Sequence, residues 1–239
     1  MKKESKTDLY VRIAKFFLPF ILGIAGILTF QFILSNIGQG NAGGKLVILM
    51  FAYFIPPLGK ETIIPAGVFG KNINIPFIEG QVIVPKIDPL VMASAIAFVD
   101  IIVALFLVWN YDLAKKIPLI GKFMIKVEKI GKSSSDKYAW IKPLRFIGVV
   151  LFVMVPFQGS GGLVGSIIGR LVGMKPWTIF VAISIGAIIG CILIAYFSEA
   201  LILVFINNIL LGVLIVIILL VTIFMIFIWR KKRKTVQKT

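Results

Sequence analysis

The feature that most constrains this chain is an interruption of a long apolar region at residues 156–174, PFQGSGGLVGSIIGRLVGM. Pro156 lacks a backbone donor and glycine costs backbone entropy, so a helix that arrives from the N-terminal side is expected to end here. In lipid, a broken backbone is tolerated only where it is buried in protein or lines a watery cavity. Two half-helices that meet at such a break are the usual binding-site architecture of secondary transporters.

Glycines recur every fourth residue after the break, at Gly161, Gly165, Gly169 and Gly173. On a helix this spacing forms a bare ridge against which another helix can pack with its backbone close. We interpret the ridge first as a packing surface and second as a ligand contact. Within the break itself, Gln158, Gly159 and Ser160 are candidates for substrate contact.

The composition places the chain in a membrane. Of 239 residues, 59% are hydrophobic and the mean hydropathy is +1.02, too apolar for a soluble domain. The length suits one membrane domain, residues 1–239, with about six hydrophobic segments of roughly 20 residues each. Histidine is absent and Cys191 is the single cysteine. We therefore expect no intrachain disulfide, no metal site, no cofactor and no enzyme activity.

Four segments have spanning length: residues 13–35, 90–109, about 177–205 and 209–229. Residues 46–70 repeat the interrupted design, because only about a dozen apolar residues precede Pro56-Pro57. The sequence therefore predicts an all-α multi-pass protein of about four spanning helices and two re-entrant hairpins. The second hairpin is 146–174, and Pro65 and Pro156 are counted with Pro56 and Pro57 among the breaking and packing positions. Residues 1–109 form the first half, 146–229 the second, and 230–239 a basic tail.

Two connecting segments are polar. Residues 71–89 resemble a small β-hairpin that turns at Glu79-Gly80, although Pro76 and Pro85 permit only edge strands. Residues 110–145 hold nine basic residues against three acidic ones. Their apolar residues suit an amphipathic helix on the membrane surface.

The net charge of +16 decides the predicted orientation. Basic residues lie beside apolar runs, so anionic lipid headgroups explain them better than nucleic acid does. If each interrupted stretch enters and returns on one side, both termini, the 110–145 segment and the Arg170/Lys175 turn fall in the cytoplasm. The first hairpin then enters from outside and the second from inside, as an inverted repeat requires. We expect a multi-pass protein of the cell membrane whose partners are lipids and a small-molecule or lipid substrate, with homo-oligomerisation left open.

Two stretches resemble a known family. PLGKETIIPAGVFG (57–70) is similar to the first-half signature of the DedA-like (VTT) membrane proteins, and residues 155–190 are similar to their second-half signature. The Pro-x-x-Gly-x-Gly at 156–161 is closer to the branch named small multidrug export proteins. This resemblance implies inverted re-entrant hairpins and the movement of lipid carriers such as polyprenyl phosphates. Many DedA-like proteins carry an arginine where Gly159 stands here, so that phosphate-binding residue is not carried over.

The charged candidates are Lys60, Glu61, Asp100 and Arg170. An aspartate at mid-span costs about 2.5–3.5 kcal/mol on insertion scales, so Asp100 needs a partner, a proton or a watery cavity. Glu61 suits the N-terminus of a short helix, and we predict that it and Asp100 carry coupling protons. Lys60 and Arg170 are candidates for substrate binding, although Lys60 could also neutralise Glu61 and Arg170 could extend to the interface.

Three classes of function remain open. A transporter, proton-coupled in our interpretation, explains the paired breaks and the intramembrane carboxylates. A lipid flippase or scramblase is the first alternative and a non-transporting scaffold or assembly factor the second. A channel would require a filter-like ring that the sequence does not display.

Overall fold

A computed structural model describes residues 6–55, 57–76, 80–110, 142–156, 160–207 and 210. Residues 111–141, the tail 230–239 and almost all of the predicted span 209–229 lie outside these ranges, and no finding bears on them. The chain divides into two compact units, residues 1–196 and 197–239. The described residues of the second unit, 197–207 and 210, are helical.

Three helices are long and apolar enough to cross a membrane. They lie within α1 (Lys6–Asn36), α4 (Pro89–Trp109) and α7 (Pro176–Asn207), and their apolar spans are Tyr10–Asn36, Pro89–Trp109 and Pro176–Ala200. By length and composition, these confirm three of the four predicted spans.

The first interrupted stretch forms two short helices, α2 (Gly43–Ala52) and α3 (Lys60–Phe69). Each has 10 residues and is therefore about 15 Å long, too short to span a bilayer. The interruption at 53–59 is confirmed, but Pro65 lies inside α3 and does not break it. The helix ends instead at Gly70, whose φ of 68° suits a residue without a Cβ.

The first pair of short helices turns back beside the middle of α4. Tyr53, at the end of α2, and Lys60, at the start of α3, both contact Asp100. The far end of α3 lies at the beginning of α4, because the carbonyl of Gly67 accepts a hydrogen bond from the Ile87 amide. This pair therefore reaches Asp100 from the N-terminal end of α4.

The second interrupted stretch forms α5 (Lys142–Met154) and α6 (Gly162–Leu171). The carbonyl of Val153, near the end of α5, accepts a hydrogen bond from Lys60, and the amide of Gly162 donates to Asp100. The far end of α6 lies near the C-terminus of α4, where Arg170 donates to the carbonyl of Val108. The second pair therefore approaches the middle of α4 from the opposite end.

The predicted four-glycine ridge is shorter than its spacing indicates. Gly161 is the N-cap of α6, and Gly173 follows the helix end with a φ of 75°. Within the helix, Gly165 faces Val153 and Gly169 faces Ile179. The helical part of the predicted ridge is therefore Gly165 and Gly169, because the regular spacing continues past the residues that are helical.

Two further glycines, outside the predicted ridge, allow a close contact between helix backbones. Gly186 and Gly190 of α7 face the backbone of α5, and a Cβ at either position would come within 2.7–2.8 Å of atoms of Val150 and Met154. Glycines four residues apart allow two helix backbones to approach in this way.

The predicted β-hairpin is confirmed in a minimal form. β1 (Ile73–Asn74) pairs antiparallel with β2 (Gln81–Val82), in the register Ile73 to Val82. Gly80, directly before β2, has a φ of 84°, a conformation that favours glycine, whereas Glu79 lies outside the described residues. Asp88 then caps α4 by accepting hydrogen bonds from the amides of Leu90 and Val91.

Pro19 lies inside α1 and has no amide hydrogen to bond the carbonyl of Lys15, four residues earlier. The side-chain amide of Asn110, at the end of α4, donates to that carbonyl at 2.9 Å. Asn110 therefore satisfies a backbone acceptor that the proline leaves open. This bond fixes the first part of α1 against the C-terminal end of α4.

Candidate functional site

Asp100 lies where the ends of all four short helices meet. Its Oδ1 accepts hydrogen bonds from the Tyr53 hydroxyl at 2.8 Å and from the Gly162 amide at 2.7 Å. Its Oδ2 lies 3.5 Å from the Nζ of Lys60. The residue is 2% exposed, so the expected need of a mid-span carboxylate for partners is met within the protein.

Lys60 joins the two broken stretches. Its side chain is 1% exposed, and its Nζ donates to the carbonyl of Val153 at 2.6 Å, a shorter contact than the one to Asp100. Removing one partner of a buried ion pair costs about 3–5 kcal/mol, because the other charge is left uncompensated. Lys60 and Asp100 are therefore interdependent. The sequence left the partner of Asp100 unspecified and made Lys60 a candidate for substrate binding, with neutralisation of Glu61 as the alternative.

The charges of Lys60 and Asp100 are opposite in sign to the partial charges of the two helix ends at the second break. Val153 lies in the last turn of α5, where carbonyl groups carry partial negative charge, and Lys60 supplies a cation there. Gly162 begins α6, where amide groups carry partial positive charge, and Asp100 supplies an anion. One ion pair from the first half of the chain thus compensates both helix ends of the second break.

Glu61 lies in the first turn of α3, beside the N-cap Gly59. Its carboxylate occupies the space where a Cβ at Gly59 would lie, so it is folded back over the start of the helix. Its Oε2 is buried without a hydrogen-bond partner among the described residues. A carboxylate near a helix N-terminus is favourable, which agrees with the capping interpretation.

An open cavity of about 170 Å³ lies beside Asp100. Both breaks contribute to its wall, through Tyr53, Leu58 and Gly59 on one side and Gly161 and Gly162 on the other. A Cβ at Gly161 would overlap Tyr53 and the Asp100 carboxylate, and a Cβ at Gly162 would overlap the α4 backbone. The glycines of the second break are thus required where the two breaks meet α4.

The other predicted residues are placed differently. Ser160 is fully buried and its hydroxyl donates to the carbonyl of Val155 at 2.6 Å. This hydrogen bond joins the two ends of the second break. Arg170 contacts Val108, which lies eight residues beyond Asp100 and therefore about 12 Å further along α4. Arg170 is consequently remote from the cluster around Asp100. Pro56, Gln158 and Gly159 lie outside the described residues.

Tyr53 and the amide of Gly162 are site groups that sequence reasoning missed. A tyrosine at the end of a ten-residue apolar helix, three residues before Pro56, is a signal that could have identified the first. Across the described ranges, no group of three or more histidine, cysteine, aspartate or glutamate side chains is arranged to hold a metal ion.

Helices of spanning length, two pairs of short apolar helices and a buried ion pair define the class: this is a helical membrane protein. The family model described as "Putative small multi-drug export protein" matches residues 64–193, which is more than half of the chain. The chain belongs to this family. Asp100 and Gly162 lie inside the matched region, whereas Tyr53, Lys60 and Glu61 precede it. No curated protein and no solved structure matches the chain.

Proposed function

We propose that this protein is a small transporter that moves an amphipathic or lipid-linked substrate across the cell membrane. The observation that carries this proposal is the meeting of four short-helix ends around Asp100, beside a cavity. In secondary transporters, broken helices meet near the bilayer midplane and form the substrate site. The family description, which names drug export, also supports a transport function.

The two pairs of short helices are re-entrant hairpins of opposite orientation in this proposal. The first pair reaches Asp100 from the N-terminal end of α4 and the second from the C-terminal end. This arrangement agrees with the inverted repeat implied by the DedA-like resemblance. Both termini and the basic segment 110–145 then lie in the cytoplasm, as the positive-inside rule favours.

Cysteine labelling tests this orientation. In a Cys191→Ala background, single cysteines at Asn41 and Ile78 should react with an impermeant thiol reagent added outside intact cells. Cysteines at Ser134 and Thr235 should react only after the cells are permeabilised. Labelling of the cysteine at residue 134 from outside would contradict the proposed topology.

Transport is coupled to protons through Glu61 and Asp100 in this proposal. Asp100 lies 3.5 Å from Lys60, and Glu61 has one buried oxygen without a hydrogen-bond partner among the described residues. A proton that arrives at either carboxylate changes the charge at the point where the two hairpins meet.

The decisive assay is transport by purified protein in liposomes under an imposed pH gradient. Glu61→Gln and Asp100→Asn should each abolish gradient-driven movement of substrate in protein that is still inserted. Asp88→Asn is the matched control, because asparagine caps a helix as well as aspartate does and residue 88 lies outside the cluster. If both amide variants transport like the unmodified protein with the same pH dependence, these residues do not couple protons. No transport of any substrate, lipid analogues included, would favour a scaffold.

A further inference from the structure

Of the described residues that line the cavity beside Asp100, one has a charged side chain. Its wall is mainly apolar, and Asp100 is the charged residue that lines it. Neither Lys60 nor Val153, whose carbonyl accepts the shorter contact of Lys60, lines the cavity. A ligand that enters the cavity therefore meets a carboxylate and not an ammonium group.

The two oxygens of Asp100 are held unequally. Oδ1 has two short hydrogen bonds, at 2.7 and 2.8 Å, whereas the contact of Oδ2 is the 3.5 Å approach of Lys60. A carboxylate oxygen has two lone pairs and accepts charge-assisted bonds best at about 2.7–2.9 Å. Oδ2 thus keeps acceptor capacity for a further donor.

Lys60 has alternatives to Asp100. Its Nζ has three donors, and its 2.6 Å bond to Val153 does not depend on Asp100. A cation from the cavity that replaces Lys60 at Oδ2 therefore leaves the lysine its hydrogen bond to the Val153 carbonyl.

The apolar lining of the cavity determines which organic group the cation can carry. Tyr53 and Phe54 lie side by side at the cavity, with ring centroids 5.7 Å apart, and Leu163 and Val164 face it from α6. The volume of about 170 Å³ is close to the size of cavity that admits benzene, which is about 150 Å³. Aromatic faces also attract an ammonium group.

We propose that this cavity binds organic ammonium ions that carry one aromatic ring or a short apolar chain, with the ammonium group replacing Lys60 at Oδ2 of Asp100. This inference rests on the proposed function, because it names the substrate class of the same site. It also makes Lys60 an internal competitor of the substrate. Binding and separation of the buried pair are then one event, and the hairpin tips that the pair joins are released when substrate is present.

Calorimetric titration of the purified full-length protein in detergent tests this inference with three probes of similar shape. They are 2-phenylethylammonium, 2-phenylethanol and 3-phenylpropionate. The ammonium ion should bind about 10- to 100-fold more tightly than the alcohol, the range expected for a hydrogen bond to a charged group. Equal binding of the ammonium ion and the alcohol would overturn the role of Asp100. Tighter binding of the carboxylate would identify Lys60 as the recognising group and would also overturn the proposal.

Variants separate the cavity from partition of the probes into detergent. Val103→Phe fills the wall one turn after Asp100 and should reduce binding of the ammonium ion at least about tenfold. If Val103→Phe does not fold, Leu163→Phe is the alternative variant that fills the cavity. Val181→Phe is the control, because Val181 is exposed on α7 and does not line the cavity. Equal losses in the cavity variant and the control would contradict the site.

Lys60→Met gives a signature that an apolar cavity alone cannot produce. Removing the competitor should tighten binding of the ammonium ion and leave binding of the alcohol unchanged. Weaker binding of the ammonium ion would show that Lys60 does not compete. Because binding is measured without a gradient, protein that binds the cation but moves no substrate contradicts the proposed function alone. If the protein transports another compound but does not bind the ammonium ion, this inference alone is contradicted.

Discussion

The buried pair of Lys60 and Asp100 supports a quantitative prediction about stability. Lys60→Met keeps the apolar stem of the side chain but leaves the Asp100 carboxylate with hydrogen bonds and no counter-ion. Asp100→Asn keeps an oxygen for Tyr53 and Gly162 but sets an amide donor against the Lys60 ammonium group. Each single variant should lose about 3–5 kcal/mol of stability, because both side chains are at most 2% exposed.

The double variant separates an ion pair from two independent contacts. With both charges removed, the carboxamide oxygen of the Asp100→Asn residue still accepts from Tyr53 and Gly162, and methionine fills the space of the lysine stem. The double variant should therefore be more stable than either single variant, with a coupling energy of at least about 2 kcal/mol. What it cannot restore is the donor to the Val153 carbonyl, so recovery should be incomplete.

Thermal unfolding of each purified variant in one detergent, followed by tryptophan fluorescence at a fixed scan rate, measures this cycle. A loss of 3–5 kcal/mol corresponds to a fall in Tm of roughly 6–20 °C for a chain of this size. Lys71→Met is the control, since Lys71 is exposed at the far end of the same hairpin and should change stability by less than about 0.5 kcal/mol. If the losses of the two single variants add in the double variant, the two charges are not coupled and the account of the site is wrong.

Two further variants test how the helices pack. Gly162→Ala should push α6 away from the α4 backbone and lower both Tm and transport, whereas Gly148→Ala in α5, where a Cβ meets open space, should be neutral or stabilising by up to about 1 kcal/mol; equal effects on Tm would refute the close contact. Asn110→Leu should cost about 1–3 kcal/mol by leaving the Lys15 carbonyl unpaired. Adding Pro19→Ala should recover part of that loss, because alanine restores the missing amide donor, and a Tm that falls further would contradict this explanation.

Much of the architecture was predictable from local chemistry. Long apolar runs identify α1, α4 and α7 as helices of spanning length, because a helix satisfies its own backbone N–H and C=O groups where lipid offers them no hydrogen-bond partner. Proline and glycine locate both interruptions, at 53–59 and after Met154, since neither residue suits a helix interior. The single aspartate within an apolar span identifies Asp100 as a residue that needs partners. Each of these conclusions depends on neighbours in sequence or on the cost of burial alone.

Which groups meet was decided by the tertiary structure. The sequence placed Lys60 beside Glu61, but the fold turns its ammonium group toward Asp100, 40 residues further along, and toward Val153 in the other half. Pro65 is a residue type that usually ends a helix, yet it lies inside α3. The regular glycine spacing of 161–173, in turn, extends beyond α6 at both ends. Arg170 is only eight residues from Gly162 but is carried along α6, away from the cluster. A sequence records the cost of burying a charge, but the partner that offsets this cost is set by the directions of helices and the reach of side chains, which no local pattern contains.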